Sequence, residues 1–389
     1  MQSTDEYSPA RISAALALRS LRQFDNKAAA LRVPGAAAAG VRRLSNAVNS
    51  QSVRARSASV APFDLSDPIH RRFEQQAARH PQEIAVVCGF QKIAYSELNG
   101  QANRLARYLR RVAPSPATLV GIFLEPCIGT VVCLLAALKA GIPYIPLDPD
   151  SAAPQTAGIL SESEALILLP SESTPACLPA RRARAISIES EIESIECGSA
   201  SNRPRSETTE GLDYIAFHAF TAERKGPAFS HRACLETIDS LRGALGLTAA
   251  DWFVATMQPD LALFGMWLMA ALVYGSRLVL APAHEEEMRD FPFDQIERSR
   301  AVLLQATPHI ATELLNARWQ VRGKVKLVCG ADPWPAELLT RLDAMGVEVW
   351  QFQGSAGSYQ VLRRDATQEG AGPHPAQPAS NGKHASNGK

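Results

Sequence analysis

Thr221 and the Lys225-Gly226 pair follow a run, Leu212-Asp213-Tyr214-Ile215-Ala216-Phe217, that reads as a buried strand entering a loop. A hydroxyl and a lysine beside glycine are residue types that can meet a phosphate. A loop that cradles phosphate closely also needs glycines, whose backbone N–H groups can turn inward. Here Phe220, Ala222 and Glu223 supply bulk and a negative charge instead. Lys225 therefore reads either as a phosphate contact or as a solvated loop residue, and His218 as a buried histidine or a base. Ser230-His231-Arg232 reads as a helix N-terminus capped by Ser230. A Ser-His nucleophile pair would need a third orienting group brought close in space. His284 beside Glu285, Glu286 and Glu287 lacks metal-ligand spacing and reads as a charged loop. There is no H-E-x-x-H, G-x-S-x-G or G-x-G-x-x-G, and the seven cysteines form no C-x-x-C pair. Most of those cysteines sit in apolar runs and read as reduced core residues of a cytoplasmic protein.

Between about 66 and 360 short apolar runs alternate with amphipathic helices. Asp67-Pro68 is a helix opening, a capping carboxylate before a first-turn proline, with Ile69, Phe73 and Ala77 as the apolar stripe. Strands are expected at 84–88 and 92–95, at 119–124, 144–147, 165–169 and 185–188, with helices at 97–111 and 130–140. Gly141 is placed to end the second helix as a left-handed cap. Residues 190–210 are polar and read as a surface linker. Strands follow at 213–217, 252–256, 277–281, 301–306, 325–329 and 347–352. Helices are expected at 231–243, 260–274, 292–299, 308–317 and 335–345. Fully apolar runs separated by helices imply parallel sheets with helices on their faces. The expected architecture is α/β: two doubly wound, helix-covered lobes, 66–189 and 211–360, joined by 190–210.

The 46% hydrophobic and 20% charged content is that of a globular chain, and a net charge of +1 gives no overall field for nucleic acid. No apolar stretch is long enough to span a membrane. Residues 1–65 form a basic, Ala/Arg/Ser-rich leader; up to residue 63 it holds nine Lys/Arg against three Asp/Glu. That composition suits a flexible leader, a docking helix or a targeting segment. Residues 361–389 read as a disordered tail, of which 366–389 are Pro/Gly/Ser/Asn-rich and contain Ala-Ser-Asn-Gly-Lys twice.

Two long strings carry a family resemblance. Ile93-Ala94-Tyr95-Ser96-Glu97-Leu98-Asn99 with Ala102-Asn103-Arg104-Leu105-Ala106 is one, and Leu138-Lys139-Ala140-Gly141-Ile142-Pro143-Tyr144-Ile145-Pro146-Leu147-Asp148-Pro149 is the other. Both resemble the first two motifs of the amino-acid adenylation domains of nonribosomal peptide synthetases, members of the adenylate-forming (AMP-binding) superfamily. These two motifs are mainly structural and speak to fold. Pro259-Asp260-Leu261-Ala262-Leu263-Phe264, with Gly275-Ser276-Arg277-Leu278-Val279-Leu280 beyond, resembles the fourth motif. The resemblance implies that Asp260 holds a substrate α-ammonium; an N-cap is the alternative, and one residue can do both. It also implies a side-chain pocket lined by Leu261, Phe264, Gln305, Leu327, Cys329 and Phe352, with ordinary core packing as the alternative for each.

The nucleotide motifs depart from the family. In place of Y-T-S-G-S-T-G-x-P-K-G only Thr221, Lys225 and Gly226 agree, and the loop is one residue short. In place of N-x-Y-G-P-T-E stands Gln351-Phe352-Gln353-Gly354-Ser355-Ala356-Gly357, where Gly354 alone agrees and Gly357 replaces the family's magnesium-binding glutamate. Val328-Cys329-Gly330-Ala331-Asp332 resembles the turn near adenine. The vestigial nucleotide positions are thus Thr221, Lys225, Gly226, Gly330, Ala331 and Gly354, with no catalytic residue and no metal ligand assigned. Nothing after 365 resembles the later motifs, so the fold expected is the N-terminal region of an adenylate-forming enzyme, without its barrel and C-terminal domain. The expectation is a truncated, catalytically silent adenylation-like protein with a binding or scaffolding role and no cofactor. Its partners would be peptide-synthetase proteins, a carrier domain or a small MbtH-like accessory protein. The alternative is an amino-acid-activating ligase using ATP and Mg²⁺, completed in trans by a separate C-terminal domain. A third reading is a gene fragment without a role.

Overall fold

The computed structural model describes residues 67–113, 118–123, 127–147, 166–169, 184–204, 231–256, 261–281, 301–316, 324–330, 333–355 and 358–364. The leader, the strand expected at 213–217, the helix expected at 292–299 and the tail from 365 lie outside these residues.

Helix α1 (Ile69–Arg79) buries Ile69, Phe73 and Ala77 as its spacing requires. Its start differs from expectation. Pro68 takes the N-cap position and makes no side-chain cap bond, and the Asp67 carboxylate accepts a hydrogen bond from Gln75 Nε2 at 3.3 Å. Strands β1 (Ile84–Cys88) and β2 (Gln91–Ala94) form a hairpin through Gly89, whose φ is +55°. Helix α2 (Tyr95–Val112), strand β3 (Val120–Phe123), helix α3 (Ile128–Ala140) and strand β4 (Tyr144–Leu147) follow. From Thr130 to Ala140 every residue of α3 is buried, and Gly141 ends the helix at φ +70°, as its position predicts. Strands β5 (Leu166–Leu169) and β6 (Arg184–Ser187) complete a four-stranded parallel sheet in the order β4-β3-β5-β6.

The segment expected to be a linker has structure of its own. A short helix, α4 (Ile192–Glu196), packs against α2. Arg107 Nη1 donates to the carbonyls of Ser199 and Ser201, both at 2.8 Å, and Asn103 Nδ2 donates to Ala200 O at 2.7 Å. These bonds satisfy backbone acceptors that a free linker would leave to water.

The second half holds helix α5 (His231–Leu245), strand β7 (Trp252–Thr256), helix α6 (Leu261–Tyr274), strand β8 (Arg277–Ala281) and strand β9 (Ala301–Gln305). Helix α7 (Pro308–Asn316), strand β10 (Lys324–Cys329), helix α8 (Ala336–Ala344), strand β11 (Val347–Ser355) and strand β12 (Ser358–Arg364) complete it. The large sheet has the order β12-β11-β10-β9-β7-β8-β1-β2, parallel inside with an antiparallel strand at each edge. Two expected boundaries change. The hairpin β1–β2 belongs to this second sheet, because β1 pairs with β8 through Val86–Leu278, Val87–Val279 and Cys88–Leu280. Division of the chain at 190–210 therefore does not divide the sheets. Residues 361–364, expected in the tail, are in β12, which pairs with β11 from Ser355–Ser358 to Val349–Arg364.

Core residues fall on two faces of the large sheet. One face, with Phe253, Leu278, Leu303 and Val328, packs under α1, α5 and α6 and is continuous with α2, α3 and the inner face of the small sheet. The other, with Val254, Val279, Leu304 and Leu327, lies under α7 and α8. Alternation along each strand enforces this division.

Candidate functional site

Strands β7, β9, β10 and β11 run parallel and end along one edge of the large sheet, the edge where ligands bind in open α/β sheets. Most of the candidate positions lie at this edge. Gln305 ends β9 beside Val328, Cys329 ends β10 beside Gln351, and Gly330 follows directly. Phe352 and Gly354 lie in the last part of β11, opposite Val361 and Tyr359. Leu261 and Phe264 lie at the start of α6, which follows β7. Asp260, Thr221, Lys225, Gly226 and Ala331 lie outside the described residues.

Register separates the candidates for one pocket. Leu327 is fully buried with Val325 and Leu304 on the face under α7 and α8. Cys329, two residues on, shares that face; its sulfur accepts the indole N–H of Trp334 at 2.7 Å and lies 3.6 Å from Trp350 O. Gln305 falls on the other face by alternation from Leu304, with Leu303 and Val328. Leu327 is thus placed as core, and Cys329 has its own partner. Among the described residues no three His, Cys, Asp or Glu gather in a metal-binding group.

Three positioning contacts hold α6, the helix that carries the candidate substrate positions. Tyr95, fully buried, donates its hydroxyl to Ser276 O at 2.7 Å and reaches Leu272 O at 3.4 Å. Gln76 Nε2 donates to Val273 O at 3.0 Å. Tyr274 donates to Ile238 O on α5. Burial pushes both phenols above their ordinary range.

A buried charged cluster lies beneath the motifs, and motif spacing did not reveal it. Lys139 Nζ, in α3, donates to Glu74 Oε1 of α1 at 2.5 Å and to Asn99 Oδ1 of α2 at 2.8 Å. Asn99 and Asn103 both donate to Asn202 Oδ1, at 2.8 and 2.9 Å. Burial pulls the Lys139 ammonium down to about 8, partly opposed by Glu74. The signal was available: Lys139 is the sole charge in an apolar helix, and a buried charge requires a partner. The cluster gives the first two motif strings a physical role, since Asn99 and Asn103 come from one and Lys139 from the other.

A family model described as AMP-binding enzyme matches residues 73–357. A linear gramicidin synthase protein from Brevibacillus parabrevis is 30% identical over 268 residues, 66% of this chain and 5% of that protein. Tyrocidine synthase 3 from the same organism is 31% identical over 281 residues, 70% of this chain and 4% of that protein. The PKS-NRPS hybrid synthetase acdB of Aspergillus candidus is 28% identical over 72% of this chain and 11% of its own length. The chain therefore spans only a small part of these relatives. Among solved structures, the nonribosomal peptide synthetase FmoA3 superposes with a TM-score of 0.65 at 21% identity, over 79% of this chain and 33% of that one. A Mycobacterium tuberculosis fatty acyl CoA synthetase gives 0.64 at 19% identity, over 76% and 61%. These likenesses concern the fold.

Proposed function

From the premise that this chain belongs to the AMP-binding enzyme family, we propose that it is a catalytically silent adenylation-type domain that works by binding among nonribosomal peptide synthetase proteins. The observation that carries this reading is the phosphate-loop segment. Phe220, Ala222 and Glu223 stand where open backbone donors would have to meet a triphosphate. Gly357 stands where a hard oxygen ligand for Mg²⁺ would be required. Adenylate formation depends on donors and metal stabilising charge at the reacting phosphate, and loss of one such donor costs roughly 100- to 1,000-fold. The partners this reading implies are a synthetase protein, a carrier domain or an MbtH-like protein. Its location would be the cytoplasm; no helix among the described residues is long and apolar enough to cross a membrane.

A second reading, an ATP- and Mg²⁺-dependent ligase forming an aminoacyl adenylate, is favoured by Asp260, kept immediately before an apolar helix. Amino-acid-dependent pyrophosphate exchange separates the two. The assay uses the full chain, with and without a C-terminal adenylation subdomain supplied separately. The silent reading expects rates at the no-enzyme blank for every amino acid. Exchange above blank with any amino acid would establish the ligase instead.

A further inference from the structure

His70, in the first turn of α1, is 5% exposed, and both ring nitrogens are buried without a hydrogen-bond partner among the described residues. A buried imidazole N–H with no acceptor is costly, and native proteins rarely leave one. The ring meets His231 edge-on, with centroids 5.7 Å apart and planes at 70°. His231 is the first residue of the 15-residue helix α5, whose N-terminal end favours negative charge. The other charged groups acting on His70 are Lys139, Arg71 and Arg203, all cationic, and they hold the imidazole neutral together with its burial. Arg71 gives Nη1 to Glu74 at 2.7 Å and leaves Nε and Nη2 buried and unpartnered among the described residues. Glu74 also serves Lys139. One carboxylate thus answers two cations, beside an imidazole and guanidinium donors of α1 that have no acceptor among the described residues.

We infer that this cluster is a binding site for a phosphate-type dianion, held between the first turn of α1 and the N-terminus of α5 by His70 and Arg71. Forked guanidinium donors and an imidazole N–H are the groups that hold tetrahedral oxyanions. Half-buried His231 and Arg203 give the cluster a side open to solvent. A dianion there reverses the electrostatic bias on His70, so binding takes up a proton. The residues assigned to it are not among the vestigial nucleotide positions, and the site stands whether or not the chain activates amino acids.

The test is titration calorimetry of the full chain at pH 7 and fixed ionic strength, with inorganic phosphate and with phenyl phosphate. Each is run in two buffers of different ionisation enthalpy. The expected result is saturable one-to-one binding, with net proton uptake for phenyl phosphate, which is already mostly dianion at pH 7. Arg71→Gln should weaken it by roughly tenfold or more, the loss of one charge-assisted contact. Arg341→Gln, at an exposed position on α8, should leave it unchanged. His70→Asn should abolish the proton uptake. Tighter binding of phenyl phosphate would identify an esterified ligand, and tighter binding of inorganic phosphate a free one. The inference is overturned if the wild-type chain binds neither saturably, or if Arg71→Gln and Arg341→Gln behave alike.

Discussion

Lys139 is a charge that the surrounding helix would exclude on hydrophobicity alone. Its side chain is 3% exposed and that of Glu74 is 8% exposed, so neither ion reaches bulk water. Two buried ions tolerate each other because each offsets the other's desolvation cost, and removing one partner strands the other. Glu74→Gln should therefore destabilise the fold by about 3–5 kcal/mol in urea unfolding. The double variant Glu74→Gln with Lys139→Met should lose less than the sum of the two single changes. That coupling is the mark of a direct pair. Additive losses would mean that the two residues matter for packing and not for each other. Phe73, whose ring lies 5.7 Å from the Lys139 ammonium, adds a cation–π contact that the methionine would forfeit.

Helix α6 is apolar on every side, so hydrophobic patterning cannot orient it; hydrogen bonds to its C-terminal end do. Tyr95→Phe keeps the ring and removes the hydroxyl, leaving the buried Ser276 carbonyl without this donor. The expected cost is about 1–3 kcal/mol in the same unfolding measurement. Gly275, which ends α6, has φ +76°, and an added Cβ would stand 3.0 Å from Gln76 Oε1. Gly275→Ala should cost about 1–2 kcal/mol for the left-handed backbone alone, with further loss where Gln76 is displaced from Val273 O. A neutral outcome would show that α6 does not depend on this clamp. These contacts also mark how far the sequence could be read. The strands and helices themselves were legible, because alternating apolar runs and the Gly141 cap are local signals. The partner of β1 was not, since the pairing Val86–Leu278 joins residues on opposite sides of the 190–210 segment. The family resemblance offered Leu327 and Cys329 either as pocket lining or as core, and the burial of Leu327 places it in the core. That Gln305 points to the other face follows only from the β9–β10 register. Glu74 was invisible as the Lys139 partner for the same reason: the two are distant in sequence.

For the molecule as a whole, the buried titratable groups set the pH range of stability. His70 has its folded pKa held below the ordinary 6.5 by burial and by His231, Lys139, Arg71 and Arg203. Below pH 6.5 the unfolded chain takes up the proton that the folded chain refuses, so stability falls as pH drops from there toward the folded value. On the alkaline side burial pushes the thiols of Cys88 and Cys234 from 9.0 up to about 12, and it raises the phenols of Tyr95 and Tyr274. The unfolded chain then releases protons that the folded chain retains, and stability falls as pH rises past 9. Lys139 works the other way, since its folded value of about 8 lies below its ordinary 10.5. One ammonium opposes two thiols and two phenols, so the alkaline limb still falls. Urea unfolding in phosphate-free buffer should therefore show stability that falls below about pH 6.5, rises modestly between about pH 8 and 9 as Lys139 titrates, and falls above about pH 9. His70→Asn should flatten the acid limb by up to about 1.4 kcal/mol per pH unit, the contribution of one proton, and leave the alkaline limb in place. An acid limb of unchanged slope in that variant would show that carboxylates, and not the buried imidazole between α1 and α5, govern acid unfolding.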